Sequence, residues 1–280
     1  MKPGRPMTPR RSAHEVIRRL VAQKSAIVLD PTKDYLIDNR LAPVLDQEGI
    51  ESMDELVDRL DRGASRHLIS AIVDAMTTNE SYFFRDTAVF KSLEKEVLPD
   101  LIERRKEVRR LRIWSAACSS GQEPYSLAML LDRVFPYLMS WDVKIVASDI
   151  SASMVERTRE GLYTLHDVNR GVPPDDLRRY FVRESGGLRV RDSLRRWVEP
   201  RIVNLIEPWD LEKFDLILMR NVLIYFDISA RKRIVERCPR VLARDGILMI
   251  GAQETLLGVT EALEHVTLDN ASAYRVRRSF

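Results

Sequence analysis

Between Ile113 and Ser126 the chain reads Ile-Trp-Ser-Ala-Ala-Cys-Ser-Ser-Gly-Gln-Glu-Pro-Tyr-Ser. An apolar strand runs into a turn of small residues holding one glycine, Gly121, and then directly into a helix. A second apolar run, Val143 to Ala147, is followed at once by Ser148-Asp149. That order is the first half of a parallel βαβ unit, with an acid set to accept hydrogen bonds from ribose hydroxyls. The turn lacks the G-x-G-x-x-G spacing that lets backbone amides approach a pyrophosphate. S-adenosylmethionine has a ribose and an adenine but no phosphate, and its sulfonium is positive, so one glycine and a flanking acid suit it. The pattern therefore favours methyl transfer over hydride transfer. The alternatives are an ordinary strand-to-helix turn at Ala116–Pro124 and an N-cap role for Asp149.

A chain of 280 residues can bury a large core in one or two domains. The net charge of +3 is too small to indicate a nucleic-acid binder, and no aromatic-basic recognition motif supports one. Two cysteines, Cys118 and Cys238, make no disulfide framework and fit a reducing cytosol. No apolar run approaches the roughly 18 residues of a membrane span. A cytoplasmic protein is expected, without membrane insertion and, for want of an obvious apolar interface, monomeric.

Residues 1–12 carry Lys2, Arg5, Arg10 and Arg11 with no acid and read as a disordered basic tail. Residues 13–78 read as an N-terminal helical domain, since Leu56, Leu60, Leu68, Ile72 and Met76 recur at multiples of four. Gly63 is expected to divide that stretch. Residues 79–110 read as a junction with a helix from about Asp86 to Arg105. From 111 to 280 strands and helices alternate, with strands expected at Leu111–Ala117, Val143–Ser148, Arg201–Leu205, Phe214–Arg220 and Ile247–Gly251. The run 177–200 interrupts the alternation and reads as a short β-insertion, with seven Arg against three acids. The expected fold class is α/β: a Rossmann-like methyltransferase sheet with a small helical domain and a β-insertion.

Two further segments are unusual. Thr77-Thr-Asn-Glu-Ser-Tyr-Phe-Phe-Arg-Asp86 has three adjacent aromatics followed by Arg at a domain junction. It is either a hydrophobic hinge, with Arg85 capping a helix or pairing with Asp86, or a cleft segment whose Arg85 holds a carboxylate with two parallel hydrogen bonds. In Phe214-Asp-Leu-Ile-Leu-Met-Arg-Asn-Val-Leu-Ile-Tyr-Phe-Asp227 a polar Arg-Asn pair closes a buried strand at its carboxyl end, where ligands of open α/β sheets bind. Asn221 and Tyr225 then lie near the reacting centre, or they serve as a turn former and a core aromatic. The Asn/Asp-Pro-Pro-aromatic motif of many amine methyltransferases is absent, which argues against a DNA-base or amide acceptor. Cys118 reads as a small residue admitting the cofactor rather than a catalytic thiol, since no His is near in sequence.

These four segments, namely Thr77–Asp86, Trp114–Ser126, Ala147-Ser-Asp-Ile150 and Arg220-Asn-Val-Leu-Ile-Tyr-Phe-Asp227, resemble the CheR family of chemotaxis-receptor methyltransferases. The similarity spans the chain from about residue 13. It implies S-adenosylmethionine-dependent O-methylation of glutamates on the cytoplasmic helical bundle of chemoreceptors, giving glutamyl methyl esters and S-adenosylhomocysteine. It also implies cofactor contacts at Asn79, Ser81, Arg85, Glu123, Asp149, Asn204, Leu205, Arg220 and Asn221. Arg85 and Tyr225 match the positions nearest the transferred methyl. Two departures stand out: Ser81 where Thr is common, and Gly251-Ala-Gln-Glu254 in place of Gly-His-Ser-Glu. The β-insertion is also shorter than in members that dock a receptor's C-terminal pentapeptide, so independence of that tether is expected.

An acidic receptor surface calls for a basic face on the enzyme. Arg59, Arg62 and Arg66 would form one if their helix ran through Gly63; Arg183, Arg189 and Arg191 of the β-insertion are a second candidate. A scaffold that binds the cofactor without turnover, and a methyltransferase with another acceptor, are the competing readings.

Overall fold

The computed structural model describes residues 12–269 and 271–277. The expected tail lies outside these residues, save Ser12. The chain forms two compact units, Met1–Thr77 and Thr78–Phe280.

The first unit contains the helices Ala13–Ser25, Asp34–Glu48, Met53–Asp61 and Arg66–Met76. Ser12, Ser52 and Ser65 each cap a helix by accepting the backbone N–H three residues on. Ile17, Val21, Ile37, Leu41, Leu56, Leu68, Ile72 and Met76 form its core. At Gly63 the backbone takes φ +96°, which ends the helical path between Asp61 and Arg66. The basic face that needed a continuous helix therefore does not form. Arg59 instead binds Glu55 and donates to the carbonyls of Glu48 and Gly49.

Among the described residues the second unit contains ten strands: β1 Arg110–Ala116, β2 Asp142–Asp149, β3 Leu162–Tyr163, β4 Phe181–Glu184, β5 Gly187–Val190, β6 Val198–Ile202, β7 Phe214–Met219, β8 Leu242–Ile250, β9 Leu263–Thr267 and β10 Ser272–Val276. Seven form one sheet in the order β6-β2-β1-β7-β8-β10-β9, and β3-β5-β4 form a small antiparallel sheet. Strands β6, β2, β1, β7 and β8 are parallel, and β10 runs antiparallel to both neighbours. All six residues of β7 are buried, as its unbroken apolar run requires. Chain order reverses between β1 and β7, and a crevice opens at the carboxyl ends of strands at such a switch point.

Several strands differ from the sequence reading, and β8 begins at Leu242 rather than at Ile247. The strand expected at Arg201–Leu205 is β6, Val198–Ile202, pairing Val198 with Ile145 through Ile202 with Asp149. Pro200 and the charges beside it hid the strand, but β6 is an edge strand, where proline is tolerated. Asn204 and Leu205 consequently lie past its carboxyl end. Strands β9 and β10, half-exposed and antiparallel, were absent from the sequence reading altogether.

The junction helix runs from Thr87 to Arg105 with a π-helical turn at Leu93–Val97, just before Pro99. Its end is tied to the sheet by Arg105, whose Nε donates to Asp215 (2.7 Å) and whose Nη atoms grip Asp245 (2.7 and 2.8 Å). The guanidinium holds the Asp245 carboxyl at about 2. A depressed folded value means stabilisation that is present above the unfolded value of about 4 and lost as pH falls toward 2. The gap in urea midpoint between wild type and Asp245→Asn is therefore expected to be widest above pH 5, to narrow steadily below pH 4 and to close only below pH 2.

Candidate active site

The turn after β1 is wound by three residues with positive φ: Ala117 (+56°), Ser119 (+51°) and Gly121 (+90°). Only Gly121 has no room for a side chain, since a Cβ there would sit 2.8 Å from Thr158 Oγ1 and 2.9 Å from the Tyr163 hydroxyl. The curl turns the Ser119 N–H onto Asp149 Oδ2 (2.8 Å), while Ser151 N–H donates to Oδ1 (3.0 Å). Asp149 is thus buried at the end of β2 with its orientation fixed. The cap of the next helix, Ala152–Glu160, is Ser151, which accepts from Met154 N–H. The N-cap alternative for Asp149 is accordingly not realised. Cys118 is fully buried, and burial together with the nearby Asp149 charge pushes its thiol well above its usual range. A thiol so held stays protonated and is no nucleophile.

At the end of β7, the Arg220 side chain is only 1% exposed. Its Nη1 donates to Glu123 Oε2 (2.7 Å); its Nη2 donates to Asp86 Oδ2 (2.8 Å) and to the Arg85 carbonyl (2.7 Å). Glu123, in the first turn of the helix Gln122–Val134, also accepts from Ser115 Oγ (2.7 Å). One guanidinium thus joins the 77–86 segment, the glycine turn's helix and β7. Asp86 belongs to Arg220, so the Arg85–Asp86 pair considered from sequence does not form.

The 79–86 segment is anchored at several points. Phe83 is buried edge-on against Tyr163 and Phe181, and the Phe84 N–H donates to Ser126 Oγ (2.9 Å). The Asn79 carbonyl accepts from Ser119 Oγ (2.8 Å), which lays this segment along the glycine turn. Arg85 is half-buried, donates to the Glu80 carbonyl (2.8 Å) and lies 5.7 Å from the Tyr82 ring centre. Arg170 covers the Tyr82 ring at 4.5 Å and pairs with Glu80 (2.9 Å). Ser81 is half-buried in the same stretch.

Past β6, Asn204 closes an Asx-type turn by accepting from Ile206 N–H, and buried Leu205 follows. Past β7, Asn221 has φ +56°, and Tyr225 ends a 3₁₀ turn, Leu223–Tyr225. Tyr225 is half-buried. The sequence-predicted residues therefore gather at the carboxyl ends of β1, β2, β6 and β7.

Two residues of this region were missed from sequence. Asp86 was seen only as a neighbour of Arg85. Glu254 was noted only as the end of a variant motif, yet it is 7% exposed and accepts backbone N–H bonds from the turn after β7. The departures from the family pattern, Ala252 and Gln253, are both exposed.

The donor set fits S-adenosylmethionine. A glycine turn with no space for a side chain lies against the buried acid Asp149, and Glu123 stands in the first turn of the helix that follows. Among the described residues no His, Cys, Asp and Glu cluster could hold a metal ion. Residues 13–77 match the all-alpha domain of the CheR methyltransferases and residues 79–272 match the CheR methyltransferase SAM binding domain.

The chain belongs to the CheR methyltransferase family.

It is 40% identical over 270 residues to chemotaxis protein methyltransferase 1 of Pseudomonas aeruginosa, covering 94% of this chain and 97% of that one. It is 38% identical over 268 residues to chemotaxis protein methyltransferase Cher2 of Pseudomonas putida, covering 94% and 97%. Chemotaxis protein methyltransferase 1 of Vibrio cholerae is 38% identical over 264 residues, covering 92% and 94%. The cofactor of this CheR protein is S-adenosylmethionine, and the protein is an S-adenosylmethionine-dependent methyltransferase. Among the described residues no helix is long and apolar enough to cross a membrane.

Proposed function

We propose that this CheR protein methylates glutamate side chains on the cytoplasmic helical bundle of chemoreceptors, forming methyl esters in chemotaxis adaptation. The observation that carries the reading is the Arg220 junction, which ties three of the four family-like motifs together at the carboxyl end of β7, beside the sheet's switch point.

Bound S-adenosylmethionine supplies a methyl group on a sulfonium, a leaving group already activated. A glutamate side chain has a pKa near ~4.3 in water and is a carboxylate at neutral pH, so the chain needs no general base. Its task is alignment, and well-oriented reactants account for about 7–11 kcal/mol of a barrier. Asp149 binds the ribose hydroxyls. Asn79, Ser81, Glu123, Asn204, Leu205, Arg220 and Asn221 complete the cofactor site. Arg85 grips a carboxylate, whether the substrate's or the cofactor's own, and Tyr225 positions the reacting groups by packing and through its hydroxyl. Mass mapping of a methylated receptor fragment tests the acceptor: the added methyl is expected on glutamyl residues, and methyl on Lys, Cys or Asn would overturn the reading.

We also propose that the enzyme needs no receptor C-terminal pentapeptide. The support is the compact hairpin, in which β4 and β5 are joined by Ser185-Gly186 alone. Calorimetry with such a pentapeptide is expected to give no measurable heat, and micromolar binding would refute the idea. On this hairpin Arg183 and Arg191 are exposed, while Arg189 is engaged by Glu184 and the Glu160 carbonyl. The enzyme acts as a monomer in the cytoplasm on this reading.

A further inference from the structure

The segment after β8 carries a charged residue with an unusual set of partners. Glu254 Oε2 accepts the N–H of Asn221 (2.8 Å) and of Gly251 (2.7 Å). Its Oε1 accepts the N–H of Val222 (3.0 Å) and of Leu223 (2.7 Å). Four backbone donors from the ends of two adjacent parallel strands thus converge on one buried carboxylate. Bonds to an ionised acceptor are roughly twice as strong as neutral ones. Three of the donors are consecutive residues of the turn after β7. Asn221 has φ +56°, the left-handed region that asparagine enters more readily than other non-glycine residues, and Val222 leads into the 3₁₀ turn ending at Tyr225. The approach is possible because residue 251 is glycine. A Cβ there would stand 2.7 Å from Glu254 Oε2 and 2.9 Å from Asn221 Nδ2.

We infer that Glu254 is a positioning residue for methyl transfer: its carboxylate clamps the Asn221–Tyr225 turn in the conformation that turns Asn221 toward the cofactor and Tyr225 toward the reacting groups. This rests on the roles proposed above for Asn221 and Tyr225. Glu254 touches neither cofactor nor substrate; it acts through the backbone of the residues that do. Its carboxylate presents four acceptor positions to four donors. An amide of the same shape has one oxygen, and its NH₂ group would face N–H donors.

The test uses the full chain with Glu254→Gln. Misplacement of a catalytic group by about 1 Å costs on the order of 100-fold, so a loss of about 30-fold in kcat is expected, with the receptor KM changed less than about 3-fold. Cofactor affinity falls as Asn221 moves. Amide exchange accelerates at Asn221, Val222 and Leu223 and stays unchanged in β1 and β2. Combined with Tyr225→Phe, the losses are less than multiplicative, because both act on one turn. If Glu254→Gln does not fold, Glu254→Asp keeps the charge on a shorter arm, and the same split between kcat and KM is expected at smaller size. Normal kcat and normal cofactor affinity alongside fast exchange at 221–223 would overturn the clamp. So would exchange raised evenly through the sheet with kcat per folded molecule unchanged. If wild type binds S-adenosylmethionine yet esterifies no receptor, the proposed substrate fails, and cofactor affinity together with local exchange still decides for or against the clamp.

Discussion

Replacing Arg85 by Ala is expected to lower methyl transfer by on the order of 1000-fold while leaving the fold nearly as stable as wild type. The two halves of this expectation come from different observations. Arg85 is half-buried, and its guanidinium has two partners: the Glu80 carbonyl and the face of Tyr82. A hydrogen bond of that kind and a cation–π contact near the surface are each worth about 1 kcal/mol or less. Tyr82 also keeps Arg170 over its ring, and Phe83 and Phe84 keep their own anchors, so the segment stays docked. The functional loss is larger because a planar two-pronged cation is the group best suited to hold a carboxylate in line, and loss of one preorganised charge-binding group costs on the order of 10²–10³ in kcat. Arg85→Lys recovers little, since a point charge fixes no plane. Labelled transfer at saturating cofactor, beside a urea melt, checks both halves. Near-normal turnover in Arg85→Ala would remove Arg85 from the mechanism.

Arg220→Met has the opposite signature, with stability and transfer lost together. The Arg220 side chain is 1% exposed and holds Glu123 and Asp86, which are 14% and 29% exposed. Removing one partner of a buried ion pair costs about 3–5 kcal/mol, because the remaining charge stays desolvated. Here two carboxylates would be left facing one vacated position. Asp86 keeps some contact with water, which brings the expectation to the lower end, about 3 kcal/mol. The Nε of Arg220 has no partner, so Met recovers a little of the loss by removing a buried orphan donor. Transfer falls because the Arg85 carbonyl and Asp86 lose the tie that sets where Arg85 begins. Urea unfolding with unchanged slope and a lower midpoint is the expected readout. A shift under about 0.5 kcal/mol would mean that the junction is not held by this arginine.

The features legible in the sequence were those written over short spans. The single-glycine turn, the acid ending β2 and the apolar run of β7 each occupy fewer than about ten residues, and periodicity and turn chemistry act at that range. What the sequence concealed was long-range. Nothing local says that Arg220 reaches Asp86 and Glu123, 134 and 97 residues away, rather than leaving Asp86 to Arg85. The Glu254 clamp likewise spans 31 to 33 residues to the turn it holds. Pro200 misled in another way, because a proline that excludes a central strand is harmless on the outer edge of β6. The arginine face at 59, 62 and 66 failed at one backbone angle, that of Gly63.

The most direct test of the glutamate-esterification reading is transfer of labelled methyl from S-adenosylmethionine to receptor cytoplasmic fragments, followed by mild alkali. Release of the label as volatile methanol is the predicted result, because only a carboxyl methyl ester hydrolyses under those conditions. Label that stays on the protein would mean methylation at nitrogen, sulfur or carbon and would contradict the account.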